Sequence, residues 1–438
     1  MENQLLTEGD VNDSSFRKNW VTSLDPQTIS SLEQDASCFF HQALSTPCLD
    51  SIQSGAGIYI TDLSGKKYMD FHGNNVHQVG YRNPYVMERI KKQMDELCFC
   101  PRRYTTPVTV ECANKLISLL PPGLNRLLFT PGGTNAIGMA IKLAKIVTGK
   151  HKLVSFEDSF HGASLDAIAA GGEEQFKKFM GPLSPLAINI PQPNTYRNTG
   201  HSVENLEKLL KQDREIGAFI AETIRNTDVQ IPFPDFWKKV REICTRYQVL
   251  LILDEIPIAF GRTGKMFAFE HYGIEPDILC LGKGLGAGII PMAAMIARDE
   301  FNIAGDISLG HYTHEKSPLG CAAALALMEY LEKENILKKV CEDENFLQHE
   351  FALMKEKHSI IGDIRGIGLL WGVELVKDRG TKEKAILESE LVMYECLKGG
   401  LSFKVSQGNV LQLSPPLTIR REELKTALDI LDLALQKV

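Results

Sequence analysis

Three short stretches carry side chains whose types and spacing suit one kind of chemistry. The run Val249-Leu250-Leu251-Ile252-Leu253 ends in Asp254-Glu255. A continuous apolar run implies a strand buried on both faces, and the carboxyl end of such a strand is where open α/β sheets place ligands. A second run, Asp277-Ile278-Leu279-Cys280-Leu281, ends in Gly282-Lys283-Gly284. Taken singly, an acid after a strand caps the next turn, and a lysine between glycines sits in a solvated loop. Taken together, they put a carboxylate and an amine at one sheet edge, with glycines leaving room for a ligand to approach. The third stretch runs from Leu127-Leu128-Phe129-Thr130 through Pro131-Gly132-Gly133-Thr134 into an apolar-periodic helix starting near Asn135. Backbone amides at such a helix start, with the Thr134 hydroxyl, would cradle a phosphate. The segment fits neither GxGxxG nor the GK[ST] loop, so a phosphate on a compact group suits it better than one on a nucleotide.

Pyridoxal phosphate (PLP) chemistry needs this set. A lysine holds the aldehyde as a Schiff base, and a carboxylate keeps the ring nitrogen protonated so that the ring can accept electrons. A fourth stretch, Lys152 to Phe156 followed by Glu157-Asp158-Ser159-Phe160-His161-Gly162, puts an aromatic at the same edge. Phe160 would either stack on a flat ring or pack in the core, and the sequence leaves both open.

The elements that must position these groups alternate. Helical patterns at residues 85–97 and 110–120 interleave with short apolar runs at 127–130, 152–156, 186–190, 217–222, 249–255 and 277–282. Strands and helices in that rhythm predict parallel βαβ units and a doubly wound, mostly parallel sheet. Before them, residues 1 to about 27 read as a flexible lead-in, then a helix through Leu44. A hairpin follows, turning at Asp62-Leu63-Ser64-Gly65. After about Pro318 a long helical segment runs on toward Lys357, then a few strands and a closing helix from Arg421. The expected division is an N-terminal segment of a small domain (1–65), a large cofactor-binding domain (66–317) and a C-terminal small α+β domain (318–438).

Composition excludes other classes. Hydrophobic residues at 44% and charged residues at 24% suit a globular chain. With 48 Lys and Arg against 55 Asp and Glu, the net charge of −7 offers no footprint for nucleic acid. No apolar run reaches the length of a membrane span, and the polar start lacks a signal-peptide pattern. Ten cysteines are scattered, and only Cys98 and Cys100 lie close, in no zinc or redox spacing. A reduced, cytoplasmic protein without disulfides or bound metal is expected.

Residues 250–296 resemble the signature of the class III (ω-type) aminotransferases, a fold-type I PLP family, almost end to end. The similarity extends through Tyr59–Phe71, Ser159–Ser164, Ile364–Val376 and Ser414–Ile419, and so covers roughly residues 30 to 438. The resemblance implies a homodimer with sites at the subunit interface and a small-molecule amine as substrate. It makes Lys283 the Schiff-base lysine and Asp254 the partner of the ring nitrogen. It also assigns Gly133 and Thr134 to the phosphate, Phe160 to the ring face, and Thr313 to a phosphate contact from the neighbouring subunit. Several positions depart from the family pattern. Pro257 stands where glutamine is usual, Asn135 where the phosphate motif is acidic, Glu222-Thr223-Ile224-Arg225-Asn226 where a glycine cluster is usual, and His314-Glu315-Lys316 where an aromatic and glycine are usual. The pattern is most similar to a divergent branch containing an ammonia-lyase of phosphonate breakdown. That branch implies loss of a hydroxyl from a small amino-alcohol phosphonate, with transamination as the alternative. Arg102, Arg103, Arg225, Lys316 and His72 are the candidates for gripping a phosphonate, although Arg102-Arg103 equally suits a solvated loop.

Overall fold

A computed structural model describes residues 14–42, 45, 47–184, 187–197 and 201–438. The expected lead-in contains a helix, α1 (Ser15–Thr22), capped by the Ser14 hydroxyl and anchored by buried Trp20, whose indole N–H donates to the Leu49 carbonyl at 2.9 Å. Helix α2 (Pro26–Cys38) stops short of the expected run, because Phe39 turns extended, and Phe39 and Phe40 meet no core surface and stay exposed. Leu44, and residues 1–13 of the lead-in, lie outside the described residues.

Strands β1 (Ile52–Ala56), β2 (Tyr59–Asp62) and β3 (Lys67–Asp70) form an antiparallel meander. The β2–β3 turn falls where expected. The Asp62 carboxylate accepts from the Lys66 amide (2.8 Å) and the Ser64 hydroxyl (2.7 Å), and Gly65 takes a φ of +87°. Helices α3 (Pro84–Glu96) and α4 (Pro107–Ser118) begin earlier than their apolar periodicity, because Asn83 and Thr106 cap them ahead of a first-turn proline.

The main sheet has seven strands: β4 (Arg126–Thr130), β5 (Lys152–Phe156), β6 (Ala187–Ile190), β7 (Ile216–Glu222), β8 (Leu250–Asp254), β9 (Ile278–Leu281) and β10 (Ala293–Ala297), in the order β4-β10-β9-β8-β7-β5-β6. All neighbours are parallel except at β10, which runs antiparallel to both β4 and β9. Sequence periodicity did not single out β10, whose small residues Ala293, Ala294 and Ala297 carry little strand signal. Alternate residues of one strand enter different cores. Leu251 and Leu253 pack in one apolar cluster and Ile252 in another, so the sheet is buried on both faces. Helix α5 (Gly133–Thr148) lies across β7 to β10 with Ala136–Ile141 wholly buried.

Beyond the sheet, the expected long helix is two, Pro318–Lys333 and Ile336–Lys357, broken where Asn335 adopts a φ of +50°. Strands β11 (Ile361–Ile367) and β12 (Leu370–Asp378) form a hairpin, to which β13 (Glu383–Lys384) adds. Strand β14 (Leu401–Ser402) pairs in parallel with β3, joining the last part of the chain to the first sheet. Strands β15 (Lys404–Ser406) and β16 (Val410–Leu413) then extend the β12 sheet. No helix among the described residues is long and apolar enough to cross a membrane.

Candidate active site

The carboxyl ends of β4, β5, β7, β8 and β9 converge on a cavity of about 410 Å³. Its walls include Gly133, Thr134, Phe160, Asp254 and Lys283, the groups that the sequence singled out on four separate segments. A wider surface cleft of about 990 Å³ lies beside Lys238 and Arg241 at the amino end of β8 and lacks that convergence.

Asp254 and Glu255 part company at the strand end. Asp254 faces the cavity, 2% exposed, and accepts from the Ile256 amide (3.0 Å) and from His161 Nδ1 (2.8 Å). Since a carboxylate only accepts here, Nδ1 carries the proton, and the buried Nε2 has no hydrogen-bond partner. Glu255 turns the other way and accepts from Thr223 Oγ1 and the amides of Ala268 and Phe269, at 2.7–2.8 Å. It serves the fold. In register with Asp254 across the sheet stands Glu222, also on the cavity wall. Burial first, then the charge of Asp254, pushes the Glu222 carboxyl up to about 7.

Lys283 opens a short 3-10 turn with a φ of +45° and lines the cavity. The flanking glycines leave room for neighbouring side chains. A Cβ on Gly284 would stand 2.2 Å from the Gln78 amide, and one on Gly282 would stand 3.1 Å from Ile256 Cγ2. At the opposite wall, Gly132 begins α5 in extended conformation with no side chain capping the first turn. A Cβ on Gly133 would meet Ile256 Cδ1 at 2.9 Å, and one on Gly162, at a φ of +124°, would meet Thr134 Oγ1 at 2.2 Å. Uncapped amides beside the Thr134 hydroxyl form a cradle for an anion. Phe160 lines the cavity, half-buried, with its ring 4.7 Å from that of Phe176.

The basic candidates divide. His72 lines the cavity, and burial, then the charge on Lys404, pulls its imidazole down to about 3. Arg225 does not line it. This side chain is 5% exposed and is held by Asp228 (2.6 Å), Glu173 (3.2 Å) and the Asp158 carbonyl (2.6 Å). Burial works against its charge, but those carboxylates outweigh it and raise its pKa. Arg225→Ala would take the shared cation away from two buried carboxylates, Asp228 and Glu173. The expected result is a stability loss of about 3–5 kcal/mol in denaturant unfolding, rather than a selective rise in KM. An unchanged unfolding midpoint with a raised KM would restore its place as a substrate ligand.

Arg102, Arg103, Lys316 and Thr313 also lie away from this chain's cavity. Arg102 contacts His311 Nε2 at 2.5 Å and approaches Glu315 at 3.9 Å, while Arg103, Thr313 and Lys316 are exposed. Sequence reasoning missed the cavity residues Asn75, Asn226, Lys404 and Gln412. Lys404 stands directly opposite Gln412 on β15 and β16, so both side chains share one face. Gln412, 1% exposed with Nε2 unpartnered, is a polar residue between Leu411 and Leu413 in a buried strand. That break in apolar character was the available signal.

This fold and constellation define a class III aminotransferase scaffold. The family described as aminotransferase class-III matches residues 41–435, and the chain belongs to it. Among curated proteins it is 53% identical, over 99% of its own length and 95% of the relative's, to (R)-1-hydroxy-2-aminoethylphosphonate ammonia-lyase of Vibrio splendidus (strain 12B01). Among solved structures, it is similar to a Bacillus anthracis aminotransferase, with a TM-score of 0.89, 27% identity, and coverage of 95% of this chain and 100% of that one. It is also similar to taurine:2-oxoglutarate aminotransferase from Bifidobacterium kashiwanohense, in complex with PLP and glutamate, with a TM-score of 0.87, 28% identity, and coverage of 95% and 98%.

Proposed function

We propose that this chain is a PLP-dependent ammonia-lyase that converts (R)-1-hydroxy-2-aminoethylphosphonate to phosphonoacetaldehyde and ammonia. The observation that carries the reading is the 53% identity, over nearly the whole of both chains, to the Vibrio splendidus enzyme of that activity. The cavity suits the cofactor. Gly133, Thr134 and the uncapped turn of α5 would take its phosphate, Phe160 its ring face, Asp254 its ring nitrogen and Lys283 its aldehyde. When bound, PLP draws electrons from the amine-bearing carbon and so eases loss of a proton there.

Lys283 Nζ receives that proton. Asp254, fixed by His161 and the Ile256 amide, would hold the ring nitrogen and favour its protonated form. Lys404 and the Gln412 amide bind the anionic end of the substrate, with neutral His72 beside them. Arg102, Arg103, Lys316 and Thr313 belong to an outer segment that, in a homodimer, serves the neighbouring copy's site. The same reading divides the chain into a large domain (66–317) and a small one built from 1–65 and 318–438.

Ammonia and phosphonoacetaldehyde should form from the hydroxylated substrate with no keto acid present. 2-Aminoethylphosphonate, which lacks the leaving group, should yield neither. Turnover that needs pyruvate or 2-oxoglutarate would replace this reading with transamination.

A further inference from the structure

Loss of the hydroxyl leaves a chemical need that the groups described so far do not meet. Breaking the C–O bond sends its electron pair to oxygen, and hydroxide is a poor leaving group unless a proton arrives as the bond breaks. We propose that Glu222 is the general acid that protonates the departing hydroxyl, with Asn75 positioning it; this rests on the ammonia-lyase reading.

Six titratable side chains line the cavity: His72, His161, Glu222, Asp254, Lys283 and Lys404. Lys283 is the base. Asp254 accepts from both His161 Nδ1 and the Ile256 amide, so neither it nor His161 is placed to hand a proton to substrate. His72, pulled down to about 3, carries no spare proton near neutrality. Lys404 is taken up by the substrate's anionic end. Glu222 remains, with a carboxyl pushed up to about 7 by burial and by Asp254, the range in which a carboxylic acid is both protonated and willing to transfer.

The surroundings of Glu222 favour a hydroxyl. Its Oε1 accepts from the Asn226 amide (3.3 Å), the Asn226 side-chain carbonyl accepts from Asn75 Nδ2 (2.9 Å), and all three residues line the cavity. Asn75 is 1% exposed, and its Oδ1 has no hydrogen-bond partner. Leaving a buried acceptor unpaired costs about 1–3 kcal/mol, so an O–H donor from a ligand is the natural occupant. It is also held at a φ of +56°, next to Asn74 at +46°.

The step balances. Lys283 Nζ takes the proton from the amine-bearing carbon, and the freed C–H pair becomes the new C=C bond. The C–O pair leaves on oxygen and combines with the Glu222 proton as water. The proton on Lys283 passes through solvent to restore Glu222. Tautomerisation and hydrolysis of the released unsaturated amine then give the aldehyde and ammonia, consuming one water.

The test compares Glu222→Gln and Asn75→Ala with the wild-type holoenzyme on two substrates. On the hydroxyl substrate, Glu222→Gln should lose about 10²-fold in kcat. Its cofactor absorbance, and its exchange of the substrate carbon-bound proton with deuterated solvent, should stay at wild-type level. On the chloro analogue, whose chloride leaves without a proton, the variant should recover most of the wild-type rate. Asn75→Ala should raise KM for the hydroxyl substrate more than for the chloro analogue. Equal losses on both substrates, or an undiminished rate on the hydroxyl substrate, would overturn the assignment. A wild-type enzyme that releases no ammonia without a keto acid would instead remove the lyase reading beneath it.

Discussion

Lys283→Ala should abolish turnover, lowering it by at least about 10⁴-fold, because one residue serves as both covalent anchor and base. The variant should still bind PLP, through the uncapped turn of α5 and Asp254, but reversibly, so that dialysis removes the colour. Borohydride treatment of wild type followed by peptide mapping should label Lys283, and the variant should take no label. An added small amine such as methylamine should restore part of the rate by supplying a free base to the vacated space. A label on any other lysine in wild type would discard the central assignment.

Asp254→Asn should rank next, with a loss of about 10³-fold in kcat at saturating PLP. The amide keeps the shape of the carboxylate but not its charge, so the ring nitrogen loses the partner that favours its protonated form. The same change alters the buried pair with His161, since the imidazole Nδ1–H, whose nitrogen is 2.8 Å away, then faces an amide in place of a carboxylate. Substitution of His161 by phenylalanine should cost less, because the Ile256 amide still holds Asp254. Both effects are read by single-turnover kinetics. Near-normal kcat in Asp254→Asn would mean that the carboxylate contributes packing alone.

What the sequence disclosed follows from how locally each feature is written. Strands β5, β7, β8 and β9 announce themselves because a strand buried on both faces is mostly apolar, and the residues just after them are fixed at the sheet's edge by chain continuity. Asp254, Lys283 and Phe160 are therefore legible as a group. Strand β10 is not, since its alanines are chosen to fit beneath α5. Arg225 misled for a related reason. An arginine looks like an anion ligand until its carboxylates are found, and while Asp228 is three residues away, Glu173 comes from a distant segment. Gln412 left one local trace, a polar residue between Leu411 and Leu413, but its pairing with Lys404 depends on a register between strands that no local pattern encodes.

The parallel pairing of β3 with β14, only Leu401↔Met69 and Ser402↔Asp70, has a consequence in time. All seven strands of the main sheet come from residues 126–297, so their ladder needs nothing synthesised later. His72 follows β3 by two residues, whereas Lys404 and Gln412 reach the same cavity only after β14 has emerged and docked. Domains generally form as units while the chain is still being made, earlier segments first. A nascent chain can thus assemble the cradle for the cofactor before it owns the groups proposed to grip the substrate's anion. On that order, the groups proposed to confer selectivity are the last to reach the cavity.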